Sequence, residues 1–262
     1  MADEKLQLER KKKERYLALR ENRKHKEAEE LWHRLRQGTY IGDFVYGAND
    51  GIVTTFAVVS AAAGAALSPG VVIILGFANL LADGFSMGAS NFLSLRSGKE
   101  FVRMQRGKEE WEVENFPEIE KEEIRDILRT WSVPRQYIEP STAAIVRDKK
   151  RWVDLMMREE LHIIEEDAAN PIKHAMATFL AFLAAGAVPL VPYLFAFSPY
   201  IQFELATFFA AIAFFAVGAS RTLVTGANPW RAGLEILLVG GFAATVAYGA
   251  GWGVKTLFGI AI

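Results

Sequence analysis

The chain has 262 residues, 51% of them hydrophobic, and a formal net charge of −1, an average that says less than the distribution of charge along the chain. It contains no Cys, which excludes disulfide frameworks, thiolate metal sites and Cys nucleophiles, and only four His, at 25, 33, 162 and 174, which excludes a His-rich metal cage. The apolar residues lie in long runs and the charges in two blocks, a pattern that predicts an all-α polytopic membrane protein.

Residues 1–39 are charged throughout, contain good helix formers and no Pro, and carry only a weak apolar stripe of Leu6, Leu17, Leu31 and Leu35. They read as a solvated or membrane-surface helix on the cytoplasmic side. The basic run "RKKKER" is interleaved with Glu, which argues against a nucleic-acid partner, and the absence of an apolar h-region argues against a cleaved signal peptide.

Five apolar segments follow, at 40–67, 71–96, 172–197, 201–224 and 232–258. Each exceeds the ~20 residues that a helix needs to cross a ~30 Å hydrocarbon layer, and helices satisfy their own backbone groups there. Twelve Lys and Arg precede the first segment, thirteen fall in 98–170, and the connectors "SPG" and "SPY" have none. Basic residues thus alternate by side, which predicts a cytoplasmic N-terminus and an outer or lumenal C-terminus, Lys255 being the mild exception.

Between the second and third segments, residues 98–170 are strongly charged, with breaks at "NFP" (115–117) and "VPRQYIEP" (133–140). They predict an inserted cytoplasmic domain of three helices, at 99–114, 118–131 and 141–168. The expected organisation is 1–39, a charged tail; 40–97, spans one and two; 98–170, the inserted domain; and 171–262, spans three to five.

Chemistry concentrates in a few places. Asp43 and Asp50 are seven apart, on one face of the first span, beside the small pair Gly47 and Gly51. An ionised carboxylate in a span costs at least ~2.5 kcal/mol, so it should face a wet or cation-bearing path. The plainer alternative is a cap on a neighbouring helix or a pair with Arg221 or Arg231. In the second span Asp83 and Met87 share a face, with Asn79 one turn earlier. A thioether beside carboxylates suits Fe²⁺ or similar ions and not Mg²⁺ or Ca²⁺. In the inserted domain Glu109 and Glu112, and Glu120 and Glu123, are i, i+3 pairs, and Met156 and Met157 precede Glu159 and Glu160. Such Glu pairs are either a solvated face or half of a divalent-cation clamp, and the Met pair is either a packing seam or a soft contribution to that clamp.

Glu159 and His162 form one E-x-x-H spacing, where a di-iron bundle needs two. No P-loop, dinucleotide fingerprint or Ser/His/Asp arrangement is present, so the sequence supports neither an enzyme nor a nucleotide-driven pump.

The motifs "YGANDGIVTTFAVVSAAAGA", "LADGFSMGASNFLSLRSGKE", "FLAAGAVPLVPYLF" and "FFAVGASRTLVTGANPWRAGLEILLVGGFAATVAYGAG" resemble the vacuolar iron transporter family, from residue 40 to the end. The resemblance implies a five-span homodimer with a path between the first spans of its two subunits. It implies export of Fe²⁺, and of further divalent metals such as Mn²⁺, Co²⁺ and Zn²⁺, from the cytosol in exchange for protons, with no prosthetic group. It puts Asp43, Asp50 and Met87 on the path, and Glu109, Glu112, Glu120, Glu123, Met156, Met157 and Glu160 in a cytoplasmic metal-binding domain. Asn79 departs from the acid that some members carry there, which bears on the charge coupled per metal. The membrane is then a vacuolar membrane or a bacterial cell membrane. Two readings compete with transport: a membrane-anchored metal sensor or sequestering protein, against which Asp50 argues, and a membrane oxidase, against which the lack of a His cluster argues.

Overall fold

A computed structural model describes residues 40–163, 170–222 and 226–259, with Lys11 and Glu14. The helix expected over 1–39 lies outside the described residues apart from those two, which are helical and exposed. All regular structure among the described residues is helical: α1 Ile41–Gly64, α2 Pro69–Asn115, α3 Pro117–Thr130, α4 Arg135–Ile145, α5 Lys149–Glu159, α6 Pro171–Gly186, a 3₁₀ helix Val188–Leu194, α7 Pro199–Ser220 and α8 Pro229–Phe258. The chain divides into two compact units, Met1–Gly88 with Met176–Ile262, and Ala89–Ala175.

In the first unit α1 packs against α8, α7 and the 3₁₀ helix. Ala48, Ile52, Phe56 and Val59 recur along one stripe of α1 and join Phe182, Leu190, Ala206, Ala210 and Phe214 in the core, with the Phe56 and Phe214 rings edge to face at 6.4 Å. Glycine sets the closeness. A Cβ on Gly47 would meet the Thr178 carbonyl oxygen at 2.4 Å, and one on Gly51 the Phe182 carbonyl oxygen at 2.4 Å. The small pair of α1 is therefore a seat for α6 of the same chain. Gly64 and Gly251 make an equivalent seam between α1 and α8, where added Cβ atoms would lie 2.2 Å from the Tyr248 oxygen and 2.0 Å from the Ala61 oxygen. Around this core Ile74, Leu81, Phe85, Phe208, Leu238 and Phe242 point outward, more than half exposed, as a surface solvated by lipid permits.

By length and composition α2, α7 and α8 qualify to cross a membrane, and α6 with the 3₁₀ helix makes a fourth span if that pair, bent by 43°, counts as one. The bend divides the segment expected at 172–197. Pro189 and Pro192 cannot donate to the preceding turn, so the α-helix stops at Gly186 and the chain tightens. α1 is long enough, at 24 residues, but Asn49, Asp50, Thr54, Thr55 and Ser60 dilute its apolar character.

α2 is one helix of 47 residues, about 70 Å long. The separate helix expected from 99 is continuous with the second span, because Gly98 is the only poor helix former between Ser97 and Arg106. Its apolar part ends at Leu95. The stretch 96–115 carries ten charged residues and cannot lie in hydrocarbon.

The second unit encloses Val113, Ile124, Leu128, Ile138, Trp152, Val153, Met156 and Met157. Over the described residues its last expected helix, 141–168, is instead two, and 164–168 lie outside them. α4 begins after Pro134 and accommodates Pro140 at the loss of one backbone bond. α5 starts afresh at Asp148, whose carboxylate accepts from the amides of Lys150 and Arg151 at 3.1 and 3.3 Å. A two-pronged pair from Arg125 to Glu139, at 2.8 and 3.3 Å, ties α4 to α3.

Candidate metal site and membrane carboxylates

The glutamates of the second unit divide by helix face. Those facing out have cations: Glu118 with Lys121 at 2.6 Å, Glu122 with Arg125 at 2.8 Å and Arg129 at 3.0 Å, and Glu114 with Lys149. Glu109 of α2 and Glu120 of α3 face in, 1% and 5% exposed. Among the described residues neither has a Lys or Arg partner, and one oxygen of each, Oε2, is buried without a hydrogen bond. Glu160, at the end of α5, brings a third carboxylate, and an oxygen from each of the three lies within 4.8 Å of the others.

Buried carboxylates without donors are costly, and they titrate accordingly. Burial, then repulsion from Glu160 and Glu112, pushes Glu109 up to about 7. Burial, then Glu123 and Glu109, pushes Glu120 up to about 7. Glu123 and Glu160 are raised too, each by burial first and then by Glu112 or Glu123; a hydrogen bond from the Glu120 carboxyl partly offsets the rise at Glu123. Glu112 is half-buried, with Lys108 at 3.4 Å. Five glutamates thus converge from three helices. The donor set fits a divalent cation as substrate. Oxygens on one ion at ~2.0–2.2 Å lie at most ~4.4 Å apart, so a small inward shift closes the triad.

Met156 and Met157, expected beside these glutamates, are 0% and 1% exposed in the apolar core of this unit. Packing accounts for that placement, and no sulfur position here requires an ion.

In the first unit Asp43 and Asp50 are half-buried on α1. Asn79, Asp83 and Met87 form an i, i+4, i+8 stripe on α2, all half-buried, with Met87 against the core. The hairpin between α1 and α2 brings Asp83 within electrostatic reach of Asp50. Asn49 Oδ1 and Asn79 Nδ2 are buried with no hydrogen-bond partner among the described residues. The sequence marks Asp50 and Asp83 separately; that one lies within electrostatic reach of the other is a property of the fold. Arg221, a plausible partner for a span carboxylate by sequence, instead pairs with Glu235 on α8.

The raised carboxylates make a linkage prediction. Glu109 and Glu120 titrate near 4.5 unfolded and near 7 folded, so between those values the folded state holds more protons. Stability of the metal-free protein should therefore fall as pH rises from about 4.5 to 7, and then level. Glu109→Gln with Glu120→Gln should raise the melting temperature above pH 7, by a gain on the order of a few kcal/mol. Thermal melts in detergent at pH 5 and 8 check this; a double variant less stable at pH 8 than the parent contradicts it.

A family model described as the VIT family matches residues 41–252. The chain is similar to a protein of Toxoplasma gondii (strain ATCC 50861 / VEG) named vacuolar iron transporter, 36% identical over 228 residues that cover 84% of this chain and 76% of the relative. It is 31% identical to the vacuolar iron transporter of Plasmodium falciparum (isolate 3D7) over 240 residues, 85% of this chain and 88% of that one. With vacuolar iron transporter 1 of Arabidopsis thaliana it shares 27% identity over 214 residues, 80% and 84% of the two chains.

Proposed function

The chain belongs to the VIT family, and from that premise we propose that it exports Fe²⁺ from the cytosol in exchange for protons. It is a membrane transporter and not an enzyme. In this reading α1, α2, the bent α6 pair, α7 and α8 make five spans, residues 98–170 form a cytoplasmic domain, and two copies enclose the path between their α1 helices. The half-buried state of Asp43 and Asp50 in a single chain supports such a partner.

The observation that carries transport is the Asp50–Asp83 pair. Two carboxylates within electrostatic reach of each other on apolar helices repel, and a divalent cation or protons would relieve that repulsion. An anchor for a metal sensor has no use for such a pair. Either occupant neutralises the same groups, so metal and proton exchange without nucleotide. Glu109, Glu112, Glu120, Glu123 and Glu160 collect the cation, and Asp43, Asp50, Asp83, Asn79 and Met87 line its way. Met87 adds a soft contact that favours Fe²⁺ over Mg²⁺; Mn²⁺, Co²⁺ and Zn²⁺ are within reach of the same donors. Met156 and Met157 hold the shape of the collecting domain and, in this reading, offer sulfur only when an ion is bound.

Proteoliposomes decide the matter. Fe²⁺ uptake should accelerate several-fold with an acidic interior and dissipate the pH gradient as it proceeds. Binding of Fe²⁺ without uptake would favour the sensor; uptake indifferent to the gradient would remove the antiport.

A further inference from the structure

Beyond Leu95, where its apolar run ends, α2 changes sign along its length. Residues 96–106 hold four cations, Arg96, Lys99, Arg103 and Arg106, and one acid, Glu100; residues 107–115 hold one cation and four acids. The four cations are spaced i, i+3, i+7 and i+10, which puts them in one stripe of the helix. Two are taken by carboxylates: Arg96 pairs with Glu100 at 2.9 Å, and Arg106 with Asp154. Lys99, half-buried, and Arg103, exposed, lie one turn apart between these pairs, and neither has a carboxylate partner among the described residues.

At 1.5 Å per residue Lys99 lies about 6 Å and Arg103 about 12 Å beyond Leu95. The polar headgroup layer on each side of a bilayer is roughly 5–8 Å deep. Helical side chains lean towards the helix N-terminus, and the N-terminal half of α2 is its apolar half, so both cations lean back towards that layer. α6 meets the same boundary in the opposite sense. Its apolar run begins at Ile172, and Lys173, exposed and likewise without a carboxylate partner among the described residues, leans out of that run towards the start of its own helix. At both passages, then, long cationic side chains are directed at the depth where lipid phosphates lie. The acids of α2 are confined to its far part, beyond their reach.

We propose that Lys99 and Arg103 of α2, with Lys173 of α6, bind the phosphates of anionic phospholipids and tie the second unit to a negatively charged leaflet. This needs α2 and α6 to cross a membrane and is independent of which ion is carried. The test uses the full-length protein in bilayers of phosphatidylcholine with spin-labelled phosphatidylglycerol or spin-labelled phosphatidylcholine. Electron paramagnetic resonance of the immobilised fraction gives the preference for the anionic lipid. The parent should prefer it several-fold at low salt, and 1 M NaCl should weaken that preference. Lys99→Gln, Arg103→Gln and Lys173→Gln together should bring it close to one, and Arg103→Gln alone, at an exposed position, should remove part of it. Arg135→Gln, Arg147→Gln and Lys150→Gln remove the same charge from exposed cations that adjoin no apolar run and should leave the preference as it was. A parent without preference, a first triple variant that retains it, or an equal loss in both triple variants overturns the proposal. Helical circular dichroism and melting temperature establish that the variants compared are folded, and the single variant decides the outcome if the triple one is not.

Discussion

Asp50→Ala is expected to abolish Fe²⁺ uptake into proteoliposomes while leaving Fe²⁺ binding by the Glu109–Glu120–Glu160 cluster intact. The carboxylate is half-buried on α1, with Asp83 within electrostatic reach. A divalent ion at this depth with one anion removed is an under-compensated charge, a cost of several kcal/mol. At 1.4 kcal/mol per factor of ten, uptake should drop by on the order of 10²-fold or more. The Thr54 hydroxyl already donates to the Asp50 backbone oxygen at 2.8 Å, and Asn79 is uncharged. Asp50→Glu should retain part of the rate. Normal transport by Asp50→Ala would remove the proposed path, and equal loss of uptake and binding would mean that the variant unfolds.

Gly51→Val should be strongly damaging to the fold. Its Cβ would approach the Phe182 carbonyl oxygen to 2.4 Å, and a backbone oxygen inside a helix cannot rotate away. α1 and α6 must separate, at a cost on the order of 3 kcal/mol or more. The informative control is Gly241→Ala in α8, where an added Cβ meets nothing within 4 Å and should be neutral or stabilising by up to ~1 kcal/mol. Detergent melting curves in which the two variants behave alike would contradict the packing described above.

Much of this was readable in the sequence because it is written in local pattern. Apolar runs, turn residues and Pro placed α1, α2, α7 and α8, whereas i, i+3 spacing at Glu109, Glu112, Glu120 and Glu123 reads equally as a solvated face, and it is the family resemblance that points to a metal site there. The errors arose where two local signals compete. Pro134 and Pro140 suggested a break, but Pro is tolerated ahead of a helix and, with one lost bond, within it. The real interruption is at Asp148, whose capping role "DKK" only hints at. The division of glutamates into paired and unpaired was out of reach, since it depends on which face of α3 meets α2 and α5. So was the destination of Gly47 and Gly51: the spacing says that a helix comes close, and only the fold says that it is α6 of the same chain. Met156 and Met157 illustrate the same limit, because a buried seam and a soft ligand have the same spacing.

The glycine seams also bear on which parts of the first unit can shift during a transport cycle. Where Gly47, Gly51 and Gly64 of α1 meet carbonyl oxygens of α6 and α8, there are no side chains to change rotamer, so sliding meets a hard wall. α2 is held differently: Gly76 and Gly84 face the flexible tips of Leu190, Phe182 and Phe179. Contact there is with side chains rather than with backbone. Backbone thus rests on backbone where α1 meets α6 and α8, whereas the first half of α2, which carries Asp83, rests on side chains.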